Sequence, residues 1–139
     1  MNDLIYLDTG IVVGFLLKES PEYLQCKEIL DAIKQQKQRV LFSALNISEL
    51  FHLLQRERTT INRIRQILEE FAKFSSVKLI EVSIEIELNA LLISEKYNID
   101  LTDATTYLLM KKYHVKKIYS LDKHYDRFQD IQRLTALKL

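Results

Sequence analysis

The sequence predicts a three-layer α/β/α fold built around a mostly parallel central sheet of four to five strands. Three observations carry that expectation. Short apolar runs with strand character alternate with longer stretches of helical periodicity, the order that generates βαβ units. Only two glycines and one proline punctuate the 139 residues, too few turn formers for a sandwich or barrel made of tight hairpins. Hydrophobic residues supply 47% of the chain, enough to fill a sizeable core in a chain of this length.

The first strand is expected at residues 4–7, an apolar run that stops at Asp8, and Thr9-Gly10 lead into an apolar helix at 11–17. Ser20-Pro21 reads as a helix start, with serine at the N-cap and proline at the first helical position, where a missing N–H costs nothing. Beyond it Tyr23, Leu24, Cys26, Ile29, Leu30 and Ile33 recur at helical spacing. A second strand at 40–42 precedes helices at 45–55 and 61–74. A third at 78–82 precedes helices at 84–97 and 102–113. The fourth, at 117–121, leads into a short segment at 123–128 and a weaker strand at 133–135. No repeat, low-complexity tract or linker divides the chain, so residues 1–139 are expected to form a single domain.

Four carboxylates stand where a strand stops, a helix opens or a strand-following helix begins its second turn: Asp8 in YLDTG, Glu49 in ISELF, Asp103 in LTDAT and Asp122 in YSLDK. Each has an ordinary alternative. Asp8 and Asp122 suit helix or turn capping, and Asp103 suits the positive end of a helix dipole, with Asp100 or Thr102 as the cap. Glu49 falls beside the polar arc of Ser48, His52 and Arg56, where a solvated glutamate is expected. Capping does not require the four to converge. In an open parallel sheet the carboxyl ends of the strands point to one edge, where ligands bind. Acids gathered there raise one another's pKa unless a hard cation takes up the charge. The pattern therefore points to a divalent-metal site.

Composition narrows the function classes. Charged residues nearly cancel, leaving a net charge of +1, so the chain lacks the global basic surface of many nucleic-acid binders. Any such contact must use local patches or metal ions. The lone Cys26 excludes an internal disulfide, fits a reducing cytoplasm and reads as a small buried core residue. Asp3 and Asp8 stand where a basic leader would lie, and the longest apolar run, 11–17, is far short of the ~20 residues of a membrane span. A cytoplasmic protein without a membrane segment is expected. Asp8-Thr9-Gly10 also matches the aspartic-protease tripeptide, but that chemistry needs a β-rich fold with a second such aspartate. A receiver-like signalling domain would carry paired acids after its first strand, and only Asp8 follows this one.

At these residues the chain resembles the PIN-domain nucleases, particularly the small VapC-type toxins of toxin–antitoxin pairs. The matching pieces run in order along nearly the whole chain: Leu7-Asp8-Thr9, Ser48-Glu49-Leu50, residues 101–104, and residues 120–125. The resemblance implies that Asp8, Glu49, Asp103 and Asp122 are catalytic metal ligands for Mg²⁺ or Mn²⁺, with the hydroxyls of Thr9 and Ser120 in support. It implies hydrolysis of RNA phosphodiester bonds, a homodimer and a cognate antitoxin. The alternative is a PIN-fold module that binds RNA or protein without cutting. Tyr125 stands where phenylalanine is usual, and Thr105-Thr106-Tyr107 replaces a more apolar stretch.

Three further expectations attach to that reading. Arg56, Arg58, Arg63 and Arg65 form one basic group; Lys111, Lys112, Lys116, Lys117, Lys123 and Arg127 form a second, which sequence proximity to Asp103 and Asp122 makes the better RNA contact. His124, between Lys123 and Tyr125, stands as a general base, a phosphate contact or a solvated side chain. The amphipathic helices at 61–74 and 20–33 are the expected dimer surfaces.

Overall fold

Five short strands, the central ones buried on both faces, set the layers. In the computed structural model, which describes residues 3–137, the strands are β1 (Ile5–Leu7), β2 (Val40–Ser43), β3 (Val77–Ile80), β4 (Lys117–Tyr119) and β5 (Gln132–Leu134). They form one sheet in the order β3-β2-β1-β4-β5. Every pairing is parallel, with Tyr6 opposite both Leu41 and Ile118. The helices are α1 (Thr9–Leu16), α2 (Tyr23–Lys34), α3 (Ala44–Arg56), α4 (Ile61–Ala72), α5 (Ile84–Tyr97) and α6 (Leu101–Lys112), followed by a 3₁₀ turn at Lys123–Arg127.

Successive strand side chains point to opposite faces, and the core divides accordingly. Ile5, Leu7, Val40, Phe42 and Tyr119 pack with α1 to α4. Tyr6, Leu41, Ile80 and Ile118 pack with α5, α6 and the turn residues Tyr125 and Phe128. This is the three-layer α/β/α arrangement the alternating pattern predicts. No helix among the described residues is long and apolar enough to cross a membrane.

Two local details depart from expectation. Helix α2 begins at Tyr23 rather than Pro21. The Ser20 carbonyl accepts from the Tyr23 N–H, and its hydroxyl accepts from the Glu22 N–H, so Ser20 and Pro21 make the turn that precedes the helix. Strand β4 closes at Tyr119, two residues before its apolar run ends, which releases Ser120 and Leu121 into the connection that reaches Asp122.

Gly14 marks the closest approach of α1 and α2. A Cβ added there would lie 2.6 Å from the Sγ of Cys26, whose side chain is fully buried. Gly14→Ala is therefore expected to lower stability by about 1–3 kcal/mol, the usual cost of forcing a methyl group into a filled core. A urea melt showing no loss would contradict this packing.

Candidate metal centre

The strand order places a switch point between β1 and β4. The chain leaving β1 enters α1 on one face of the sheet, while the chain leaving β4 enters the 3₁₀ turn on the other. The connections part there and leave a crevice at the carboxyl edge. Asp8, Thr9, Glu49, Asp103 and Asp122 all line that cleft. Of the six site residues read from the sequence, only Ser120 lies outside the lining, and it bonds directly to Asp8.

Asp8 is tied to both central strands. Its N–H donates to the Tyr119 carbonyl at 3.0 Å, while Oδ1 accepts from the Thr9 N–H at 3.0 Å and Oδ2 from the Ser120 hydroxyl at 2.6 Å. The capping reading of Asp8 is thus correct as well as the cleft reading, because it is the N-cap of α1. Ser120 in turn accepts from the Asp122 N–H at 3.0 Å. Asp122 caps the 3₁₀ turn, accepting from the His124 N–H at 2.9 Å.

Asp103 is different. The N-cap position of α6 belongs to Asp100, whose side chain makes no capping bond. The buried Asp103 carboxylate turns to the far turn instead. Its Oδ1 accepts from the Tyr125 hydroxyl at 3.2 Å, and its Oδ2 faces His124 Nδ1 at 3.3 Å. Burial and the nearby Asp8 and Asp103 charges push the Tyr125 phenol well above its ordinary range, so it remains a donor.

Glu49 is half-buried rather than solvated, and a buried hydrogen-bond chain explains its placement. Helix α3 opens with a capping box in which the Ser43 hydroxyl and the Asn46 side chain satisfy backbone N–H groups reciprocally. Asn46 is fully buried; its Oδ1 accepts from the Tyr6 hydroxyl at 2.7 Å and its Nδ2 donates to Thr9 Oγ1 at 2.9 Å. The Thr9 hydroxyl, so oriented, donates to Glu49 Oε1 at 3.0 Å. Sequence reasoning missed Asn46 and Tyr6. The available signal was Ser43 three residues before Asn46 at the close of a strand, a spacing that predicts a cap.

The electrostatics follow from crowding. Burial, with added repulsion from Asp103 and Asp122, raises Asp8 to about 6 against the opposing bonds from Ser120 and Thr9. Burial and the Asp8 charge raise Glu49 to about 7. Asp103 is raised by burial and by Asp122. No lysine or arginine is among the described residues that line the cleft. The chain thus supplies clustered carboxylate oxygens with no lysine or arginine in the cleft lining beside them. That donor set fits Mg²⁺ or Mn²⁺, which take carboxylate oxygens in company with water.

The second basic group does not gather as a whole: Lys123 follows Asp122 in the turn beside the cleft, but other members lie away from it. Lys117 opens β4 at the opposite edge of the sheet and pairs with Asp3, while Lys111 pairs with Asp130. Lys111 and Lys112 close α6, on the order of 12 Å along the helix from Asp103 at 1.5 Å per residue. Arg127 donates to the carbonyls of Tyr97 and Asn98 at the end of α5. Proximity in sequence misled because a strand and a helix each carry their two ends to opposite edges. From the first group, Arg56 lies two helical turns beyond Glu49 on the same face of α3, whereas Arg65 pairs with Glu69.

Comparisons with known proteins agree with this architecture. A family model described as PIN domain matches residues 5–131. No curated protein matches the sequence significantly. Among solved structures, VapC20 of Mycobacterium tuberculosis, described as a sarcin–ricin loop cleaving toxin, superposes with a TM-score of 0.75 at 17% identity, covering 92% of this chain and 98% of that one. A toxin–antitoxin complex from Klebsiella pneumoniae gives 0.66 at 14% identity, with 97% and 99% coverage. VapBC2 from Rickettsia felis, bound to a DNA fragment from its promoter, gives 0.64 at 14%, with 95% and 98%. Identities this low establish a shared fold.

Proposed function

Because this chain belongs to the PIN-domain family, we propose that it is a metal-dependent endoribonuclease, the toxin of a toxin–antitoxin pair, acting as one domain over residues 1–139 in the cytoplasm. The observation that carries the reading is the convergence of Asp8, Glu49, Asp103 and Asp122 on one cleft at the sheet's switch point. A fold-level likeness to toxins of this type supports it.

In this reading Asp8, Asp103 and Asp122 hold Mg²⁺ or Mn²⁺. The bound ion supplies an easily ionised water and offsets charge on the scissile phosphate. The chain's own contribution is orientation. Ser120 fixes Asp8, Tyr125 fixes one oxygen of Asp103, and Thr9 fixes Glu49. Glu49, held by Thr9 at the edge of the cleft, would be placed to accept a proton at Oε from the attacking water. The test is to incubate RNA with Mg²⁺ or Mn²⁺, with chelator, and with Asp103→Asn. Cleavage that survives both chelation and substitution refutes the assignment.

We propose a different surface for the homodimer. Most apolar residues of α4 are spent inside the chain, with Ile64 and Phe71 buried in the core and Ile67 and Leu68 packed against it, while Ile61 at its start is exposed. In α2, Cys26, Ile29, Leu30 and Ile33 are buried as well, and Leu24 alone among its large aliphatic residues stands out at 71% exposure. By contrast α5 leaves Ile84, Leu88, Leu91 and Leu92 at 78%, 61%, 53% and 67% exposure, a stripe at helical spacing. We assign this stripe to a second copy of the chain. Leu88→Glu is expected to weaken self-association by about 2 kcal/mol, roughly thirtyfold, the value of burying one leucine. Light scattering that shows a wild-type monomer, or a dimer indifferent to the substitution, would remove the assignment. A cognate antitoxin is the remaining partner in this reading, and a small DNA-binding-like reading frame immediately upstream of the gene would support it; its absence would count against the toxin role.

A further inference from the structure

The turn that carries Asp122 sets an imidazole beside two of the cleft's carboxylates. His124 Nδ1 lies 3.3 Å from Asp103 Oδ2 and 3.3 Å from Asp122 Oδ1. One donor atom from each of the three residues falls within 4.8 Å of the others. Neither His124 distance is that of a charge-assisted hydrogen bond, which is about 2.7–2.9 Å. A single ring N–H also cannot aim at two carboxylates at once. Neighbouring ligands around an octahedral ion with bonds of about 2.1 Å stand about 3 Å apart, and the observed spacing is close to that.

The surroundings hold the three donors in this relation. The Asp122 carboxylate takes the His124 backbone N–H at 2.9 Å, which fixes the turn. Tyr125 occupies Asp103 Oδ1, which leaves Oδ2 to face the imidazole. The His124 side chain is 55% exposed, so a hydrated ion reaches Nδ1 from solvent.

We propose that His124 is a direct nitrogen ligand of the ion held by Asp103 and Asp122, making this a mixed imidazole–carboxylate centre that selects Mn²⁺ over Mg²⁺. Imidazole suits first-row transition ions, of which Mn²⁺ is the weakest-binding and the most tolerant of carboxylate oxygens, whereas Mg²⁺ keeps to oxygen and water. The inference rests on the nuclease reading and extends it to the identity of the ion.

The test uses the full chain without RNA. Pulsed electron paramagnetic resonance of the Mn²⁺-loaded protein should show nitrogen hyperfine coupling that vanishes in His124→Ala. Because the side chain lies outside both cores, that variant keeps its fold, and a thermal melt verifies it. Calorimetric titration should show the variant losing about tenfold or more in Mn²⁺ affinity, with Mg²⁺ affinity changed less than about threefold. Mn²⁺ bound by wild type without nitrogen coupling, or both ions weakened equally, overturns the ligand assignment alone. Wild type binding Mn²⁺ no better than Asp103→Asn overturns the metal centre, and this proposal with it.

Discussion

Asp103→Asn is expected to abolish metal-dependent RNA cleavage while leaving the metal-free protein at least as stable as wild type. The two halves have one cause. Asparagine matches aspartate in shape, and its carbonyl can still accept the Tyr125 hydroxyl bond now made to Oδ1, so packing of the α6 first turn is kept. What goes is a buried negative charge that Asp122 already opposes, the repulsion that raises the Asp103 pKa. Relief of that repulsion stabilises the metal-free fold; loss of the charge removes a ligand. Outer-shell changes around metals alone cost about 10–100-fold in affinity or activity, so loss of a ligand should exceed about 100-fold in cleavage rate. Chelation should bring wild type to the same floor. Cleavage assayed beside a thermal melt separates this outcome from unfolding, which would lower both. A variant that cuts RNA within about tenfold of wild type would mean that Asp103 is not a ligand.

The sequence made the layers readable because the strands are short, apolar and regularly interrupted by helical periodicity. Tyr6 between Ile5 and Leu7 shows the two-residue alternation that assigns each side chain to one face of the sheet. The positions of Asp8 and Asp122 were equally legible, since a carboxylate that follows a buried parallel strand has one edge to go to. Glu49 was not. A helical wheel places it beside the polar arc of α3, and its bond from Thr9, which spans 40 residues, is what ties it to the cleft. Tyr125 was visible as a departure from phenylalanine, but its meaning depended on a hydrogen bond to a residue 22 positions away. Lys111, Lys112 and Lys117 were misplaced for a related reason. Adjacency in sequence becomes distance in space along a strand or helix, and Lys117 and Asp122 sit at opposite edges though five residues apart.

Metal affinity is expected to rise by at least about tenfold between pH 5 and pH 7.5, while the metal-free protein becomes less stable over part of the same range. Asp8 at about 6 and Glu49 at about 7 both lie above ordinary carboxylates, which titrate near 4 when unfolded. A raised acid retains its proton in the folded state after the unfolded chain has lost it, so the folded state binds more protons and stability falls with pH. For these two groups the loss begins near pH 4, is complete once pH passes their folded values, and is fully absent below the unfolded ones. A divalent ion reverses the preference, because it binds the ionised form and displaces the protons. One unit below its pKa a carboxylate is only about one-tenth ionised, so Asp8 alone accounts for about a tenfold weakening at pH 5, and Glu49 adds to it. Calorimetric titration of Mn²⁺ in two buffers of different ionisation enthalpy would count the released protons, and melts from pH 4 to 8 with and without the ion would follow the stability. Binding without proton release near pH 6, or a metal-free protein that gains stability from pH 5 to 7, would show that the acids of this cleft do not share one electrostatic field.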